Sequence, residues 1–157
     1  MGRTTFLGFQ PPYLSDREVT EVADTLKASE WLSSGPKVRK FEEEFQKTVG
    51  APAALALNSC TAGLHLAMYA HNIKPGDEVI TTPMAFCATA NVVEHVGGTV
   101  VFADVEPGTL LIDPAQIAKK MTNKTKMILP VHFAGQPCDM AKINAMETSH
   151  PGLAREQ

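Results

Sequence analysis

Cysteine is scarce in this chain, with only Cys60, Cys87 and Cys138 among 157 residues. The three are odd in number and far apart, and they show no CxxC or Cys/His ligand spacing. Neither a disulfide framework nor a zinc module is encoded, so a reduced, cytoplasmic setting is the default. Lysine and arginine form no run and the net charge is -3, which removes the basic stripe that a nucleic-acid surface requires. No apolar stretch approaches the roughly 18 residues of a membrane span, and the first residues lack a signal-peptide pattern. The phosphate motifs G-x-G-x-x-G and G-x-x-x-x-G-K-[ST] are both missing, which argues against a plain nucleotide-binding domain. There is no internal repeat and no low-complexity segment. Aromatic residues make up 6% of the chain, and Trp31 is the only tryptophan.

What remains is a globular composition, 44% hydrophobic and 20% charged, of a length that fits one domain. Eleven glycines and eleven prolines punctuate it, as alternating strands and helices require. Residues 1–14, with Phe6, Phe9, Pro11 and Pro12, read as extended. Ser15-Asp16-Arg17-Glu18 has the form of a capping box, and Val19, Val22, Ala23 and Leu26 then share a helical face suited to a core or to another subunit. Glu30 to Pro36 is a loop in which Trp31 serves either as a packing anchor or as a wall of a binding site. Pro36 suits a first helical position. Val38, Phe41, Phe45 and Val49 follow at helical spacing up to Gly50, and Glu42-Glu43-Glu44 reads as a solvated face.

The stretch Leu55-Ala56-Leu57-Asn58-Ser59-Cys60-Thr61 reads as a short buried strand turning into a helix. Ser59 and Thr61 there are either simple caps or phosphate ligands at a helix N-terminus. Lys74-Pro75-Gly76-Asp77 is a turn. Strands are expected at 78–82, 99–105 and 126–131. A helix follows Met84 to Asn91, another begins at Asp113-Pro114, and a last one spans about Asp139 to Met146. His65 and His71 do not have the i,i+4 spacing of a metal pair. Strand and helix thus alternate four times, which predicts an α/β fold with a mainly parallel sheet between helical layers. Ligands in such sheets collect at the carboxyl ends of the strands, and the polar loops there are Asn58–Thr61, Thr81–Phe86, Asp104 and His132–Gln136.

Taken together, several of these segments resemble the DegT/DnrJ/EryC1/StrS sugar aminotransferases, which are fold type I enzymes dependent on pyridoxal 5'-phosphate (PLP). The segments are Trp31–Val38 with Phe41-Glu42, Asn58–Leu66, Pro75–Ile80, Phe86–Asn91 and Pro130–Pro137. The resemblance covers about residues 6 to 148 and rests on several motifs in the family's order. It implies the three-layer α/β/α large domain of that fold type and a set of site residues. Ser59, Cys60 and Thr61 fall at the phosphate turn, with Cys60 in place of the more usual glycine. Phe86 falls at the aromatic stacked on the pyridine ring; without the resemblance it reads as a core aromatic. His132 and Gln136 fall near cofactor or substrate. Trp31, Leu32 and Ser33 would line the substrate side, near a two-fold interface.

The same resemblance implies what to look for and not find. The family's lysine that holds PLP, and the aspartate that pairs with the pyridine nitrogen, belong to later segments. None of Lys74, Lys119, Lys120, Lys124, Lys126 or Lys142 sits in the family's lysine motif. The chain then corresponds to the N-terminal portion of such an enzyme: an extended segment at 1–14, a partial large domain at 15–148 and a divergent tail at 149–157. Weak or absent PLP binding, no turnover by this chain alone, and a homodimer or higher oligomer or else poor solubility are the resulting expectations. The parent reaction would move an amino group from Glu or Gln to a keto sugar, probably nucleotide-linked. A sugar dehydratase of the same family and a non-catalytic remnant acting as an interaction module are the alternatives.

Overall fold

The computed structural model describes residue 6 and residues 12–28 and 31–149. Phe9, Pro11 and residues 150–157 lie outside the described residues. The chain divides between Ala56 and Leu57 into two compact units, which are taken one at a time.

The first unit carries helices α1 (Asp16–Ala28) and α2 (Pro36–Val49). One half of the capping box before α1 forms as expected, while the Ser15 hydroxyl oxygen accepts the Arg17 N–H at 3.3 Å in place of that of Glu18. The Ser15 N–H donates to Glu18 Oε2 at 2.6 Å, and the Ser15 hydroxyl donates to the same oxygen. These bonds, led by that from the hydroxyl, hold the Glu18 carboxyl below the usual glutamate range. Helix α2 opens on Pro36 and closes at Gly50, whose φ of 69° is the left-handed cap that glycine adopts without steric cost. Lys37 Nζ donates to Glu21 Oε2 at 2.6 Å, an exposed pair that contributes little to stability.

Neither helix buries a residue. Val19, Val22 and Leu26 on α1, and Phe41, Phe45 and Val49 on α2, are all half exposed or more. Among the described residues, no core covers the α1 stripe.

The second unit holds α3 (Cys60–Ala70), β1 (Glu78–Thr81), α4 (Ala88–His95), β2 (Thr99–Phe102), α5 (Pro114–Lys120), β3 (Thr125–Leu129), a 3-10 turn at Phe133–Gly135 and α6 (Met140–Ser149). The strands form one parallel sheet in the order β2-β1-β3. Strand side chains alternate between faces, and the packing follows. Val79, Val100, Met127 and Leu129 join Met68 of α3 and Val92 and Val93 of α4. Ile80, Val101 and Ile128 join Ile117 of α5 and Ile143 of α6 on the other face. Burying both faces makes the three-layer α/β/α arrangement that the sequence predicts.

Among the described residues three strands form, not four. Residues 55–57 make no strand, and Leu55 and Leu57 are 71% and 43% exposed. Their apolar pattern suits a buried strand, but a strand exists only through a neighbour, and β1, β2 and β3 pair only with one another. The other strands end earlier than expected for local reasons. Beyond β2, Val105 turns away to an isolated antiparallel bridge with Ile112. Beyond β3, the Leu129 carbonyl accepts the Thr81 hydroxyl at 2.8 Å, and Pro130 has no N–H to continue a ladder. Helix α6 runs past the expected limit of Met146, to Ser149.

Two predictions follow from this packing. A Cβ on buried Gly98 would stand 2.8 Å from Ile73 Cγ2 and 3.0 Å from Val93 Cγ1, both on stiff β-branched side chains. Gly98→Ala is expected to destabilise the second unit by about 1–3 kcal/mol, read as a lower urea midpoint with an unchanged slope. The exposed apolar faces of α1 and α2 predict self-association. Sedimentation equilibrium should find a dimer or larger species, and Val22→Glu with Phe41→Glu should shift it towards monomer. A compact, soluble wild-type monomer would contradict this.

Candidate active site

The phosphate-turn residues open helix α3. Ser59 is extended, with φ -162° and ψ 154°, and its hydroxyl oxygen accepts the Ala62 N–H at 3.1 Å. That cap satisfies one of the N–H groups that a helix start leaves without an intrahelical acceptor. Cys60 and Thr61 occupy the first two helical positions, where N–H groups point out of the helix end and the dipole favours an anion. Both side chains are exposed.

Phe86 stands in the connection from β1 to α4. Thr82 Oγ1 accepts the Met84 N–H at 3.1 Å, turning the chain after the strand. The Phe86 carbonyl accepts the Thr89 N–H at 3.0 Å at the entry to α4. With its backbone tied into this turn, the ring is 76% exposed. This corrects the reading of Phe86 as a core aromatic: in this chain the ring covers no core.

His132 and Gln136 lie in the loop after β3. His132 Nδ1 accepts the Cys138 N–H at 3.0 Å, so the neutral ring carries its proton on Nε2. The Cys138 thiol in turn donates to the Val131 carbonyl at 3.2 Å, and burial pushes its pKa up. Ala134 and Gly135 both have positive φ, 52° and 81°, which folds the loop back on itself. Gln136 is exposed and its N–H donates to the Phe133 carbonyl.

These three groups share one end of the sheet. β1 and β3 are adjacent and parallel, so the loops that follow them leave from the same end. Helix α3 runs back to the start of β1, which puts its N-terminus at that end as well. Trp31, Leu32 and Ser33 belong to the first unit. Trp31 is 61% exposed, so it does not act as a buried anchor. It lines an open cleft of about 500 Å³ with Ser34, Gly35, Pro36 and Arg39. A neighbouring hollow of about 200 Å³ also touches Leu32 and Ser33. Gly35 is required beneath the indole, since a Cβ there would lie 2.7 Å from Trp31 Cβ.

Three contributors were not singled out as site residues from the sequence: Asn58, whose Oδ1 accepts the Ser59 hydroxyl at 3.3 Å, Thr82 and Cys138. Thr82 carried a signal, a hydroxyl just before Pro83 at a strand end. Cys138 carried none, because its part is played by its backbone N–H.

Residues 12–153 match the DegT/DnrJ/EryC1/StrS aminotransferase family. The chain belongs to that family. It is 51% identical over 148 residues to the spore coat polysaccharide biosynthesis protein SpsC of Bacillus subtilis, covering 94% of this chain and 38% of that protein. Among solved structures, it is similar to Spr1654 of Streptococcus pneumoniae in its PLP form, a protein assigned as a sugar aminotransferase. That likeness has a TM-score of 0.88 at 35% identity, over 96% of this chain and 38% of that one. An aminotransferase from Psychrobacter cryohalolentis gives a TM-score of 0.85 at 39% identity, over 91% and 37%. The chain thus spans little more than a third of the length of these relatives. Its fold is that of the fold type I PLP-dependent transferases.

The α3 end fits the phosphate of the family's cofactor, with outward N–H groups and the exposed Thr61 hydroxyl in one turn. Phe86 offers an uncovered ring face at the same end of the sheet. Ser59→Ala should remove the cap and cost about 1 kcal/mol, measured by urea unfolding. An unchanged midpoint would mean that another group takes the Ala62 N–H.

Proposed function

We propose that this chain supplies the phosphate-binding and ring-stacking part of an aminotransferase moving an amino group from Glu or Gln to a keto sugar, with a nucleotide-linked sugar as substrate. The observations that support the reading are the Ser59-capped N-terminus of α3, with Cys60 and Thr61 exposed, and the exposed Phe86 ring in the connection after β1. Membership of the family supports it.

In this reading the Cys60 and Thr61 N–H groups and the Thr61 hydroxyl hold the cofactor's phosphate, while Ser59 keeps the helix end in shape. Phe86 stacks on one face of the pyridine ring and fixes its tilt, a contact that an aromatic side chain makes with little demand on ring type. His132, held through Nδ1 by the Cys138 N–H, presents Nε2–H as a donor towards cofactor or substrate. Gln136 adds an amide able to donate and accept. Trp31, Leu32 and Ser33 line the sugar side, in an enzyme that works as a homodimer. PLP, when bound, acts as an electron sink for the carbon that carries the amine.

We also propose that an N-terminal segment at 1–14, a partial large domain at 15–148 and a divergent tail at 149–157 are the parts of this chain, and that it works in the cytoplasm. No described helix is long and apolar enough to cross a membrane.

The test is a PLP titration of the 157-residue chain with a parallel activity assay. Weak binding is expected, competitive with inorganic phosphate. Thr61→Val should weaken it about tenfold, as loss of a hydrogen bond to a charged group does. Phe86→Ala should weaken it about threefold to tenfold. No keto-sugar conversion is expected from this chain with an amino donor. Turnover, or PLP binding indifferent to phosphate and to both substitutions, would overturn the reading.

A further inference from the structure

Two histidines meet between helices on one face of the sheet. His65 lies on α3 and His95 is the last residue of α4. Their ring centres are 5.7 Å apart and the ring planes are tilted by 60°. Tyr69, one turn on from His65, brings its ring centre to 5.0 Å from that of His65. Below them, Met68 of α3 and Val92 and Val93 of α4 pack in one buried cluster. The two imidazoles are therefore held across a seam that the core fixes. Spacing along a single helix cannot reveal such a pair, because it is assembled from two.

Within this group, His65 Nε2 is buried and has no hydrogen-bond partner. It is the one side-chain nitrogen or oxygen of that kind among the described residues. A buried polar atom without a partner costs free energy and calls for an explanation. An imidazole nitrogen has a use besides hydrogen bonding, since it is the commonest metal ligand in proteins. His95 is exposed, so solvent reaches the pair.

Three further features suit a cation. The first is separation. A metal–imidazole bond of about 2.0–2.1 Å puts each ring centre about 3.2 Å from the ion, so two ligated rings stand about 5.2 Å apart at the tetrahedral angle and about 6.4 Å at most. The observed 5.7 Å lies within that span. The second is the field. His95 sits in the last turn of α4, where the negative end of the helix dipole favours positive charge. The third is the donor set. Among the described residues no third His, Cys, Asp or Glu joins the group, so both protein ligands are imidazoles. Such a set selects zinc, nickel or copper over magnesium and calcium, which require oxygen ligands.

We propose that His65 Nε2 and a ring nitrogen of His95 form a two-histidine site for a divalent transition-metal ion, with water completing the coordination. Each imidazole binds as the neutral base, and a proton on the coordinating nitrogen is released to solvent. The bound ion ties α3 to α4. One of these helices opens at the Ser59 cap and the other begins just after Phe86. The inference rests on the histidine geometry and does not depend on the proposed chemistry.

The experiment titrates the chelator-stripped 157-residue chain with Zn²⁺, Ni²⁺ and, as a control, Mg²⁺. Binding is read by calorimetry and by the imidazole proton resonances. Zn²⁺ and Ni²⁺ should each bind one to one in the micromolar range, Mg²⁺ should not bind, and Zn²⁺ should shift the His65 and His95 resonances together. Saturating Zn²⁺ should raise Tm by mass action. His95→Gln, at an exposed position, should weaken binding at least about tenfold and leave the metal-free Tm unchanged. His65→Gln should weaken it equally, and the double variant should be no weaker than either single one. His71→Gln, on α3 but outside the pair, should bind as the wild type does. Binding that survives His95→Gln, equal binding of Mg²⁺, or loss of binding in His71→Gln would each overturn the inference. Absence of saturable Zn²⁺ binding would overturn it in favour of an N–H···π contact between His65 and a neighbouring ring.

Discussion

The part of the candidate site that lies in the second unit hangs from the register of three short parallel strands. β1 is the hinge of the arrangement because it is paired on both sides. Val79 points into one helical layer and Ile80 into the other, and both are fully buried. A slip of one residue would exchange these faces and put each side chain into the wrong layer. With the register fixed, the ends of β1 and β3 are level, and the loops after them launch Phe86 and His132 from one rim. The chemistry is placed by aliphatic packing that has no part in it.

Much of this was legible in the sequence where a local rule decides the outcome. The Glu18 carboxylate on the Ser15 N–H, the proline at the start of α2, Gly50 at its end and Asp113 before α5 each act within one turn of the chain, and each forms as its pattern predicts. The alternation of strand and helix was legible because both faces of the sheet are buried and the strands are correspondingly apolar. What failed depends on partners distant in sequence. Leu55 and Leu57 carry a strand's pattern, yet no pattern can supply the neighbour that a ladder needs. The stripes on α1 and α2 announce burial without saying against what, and their large apolar residues stay half exposed or more. Phe86 is the reverse case. Hydrophobicity alone assigns it to a core, while the tight turns around it leave the ring exposed.

The His132 loop shows how a site can depend on groups that sequence reading passes over. The ring is held by an amide, not by a carboxylate or another side chain, so no residue type advertises the contact. What makes it possible is the reversal at Ala134 and Gly135, both in the left-handed region, which returns the chain so that Cys138 comes back beside His132. Ala134 adopts that conformation at some cost, since a Cβ is disfavoured there. The buried Cys138 thiol, bonded to the Val131 carbonyl, closes the same loop from inside. Backbone strain and a buried thiol thus serve to orient one imidazole.

Cys60 bears on how much a departure from the family's usual residue matters. Glycine is indispensable where φ is positive or where a Cβ would collide. Cys60 stands in the first turn of α3 with its side chain exposed, where any L residue fits. The groups offered to a phosphate at such a position are the N–H of Cys60 itself and that of Thr61, and a backbone N–H is present whatever the side chain. A thiol in place of a hydrogen therefore leaves the backbone N–H groups of the turn intact and changes only its rim, adding a small polarizable group there. The same logic explains why the turn was recognisable from Ser59 and Thr61 despite the substitution between them. The cap sets the geometry of the helix end, the hydroxyl would contribute a direct bond in the proposed site, and the intervening residue has only to stay out of the way.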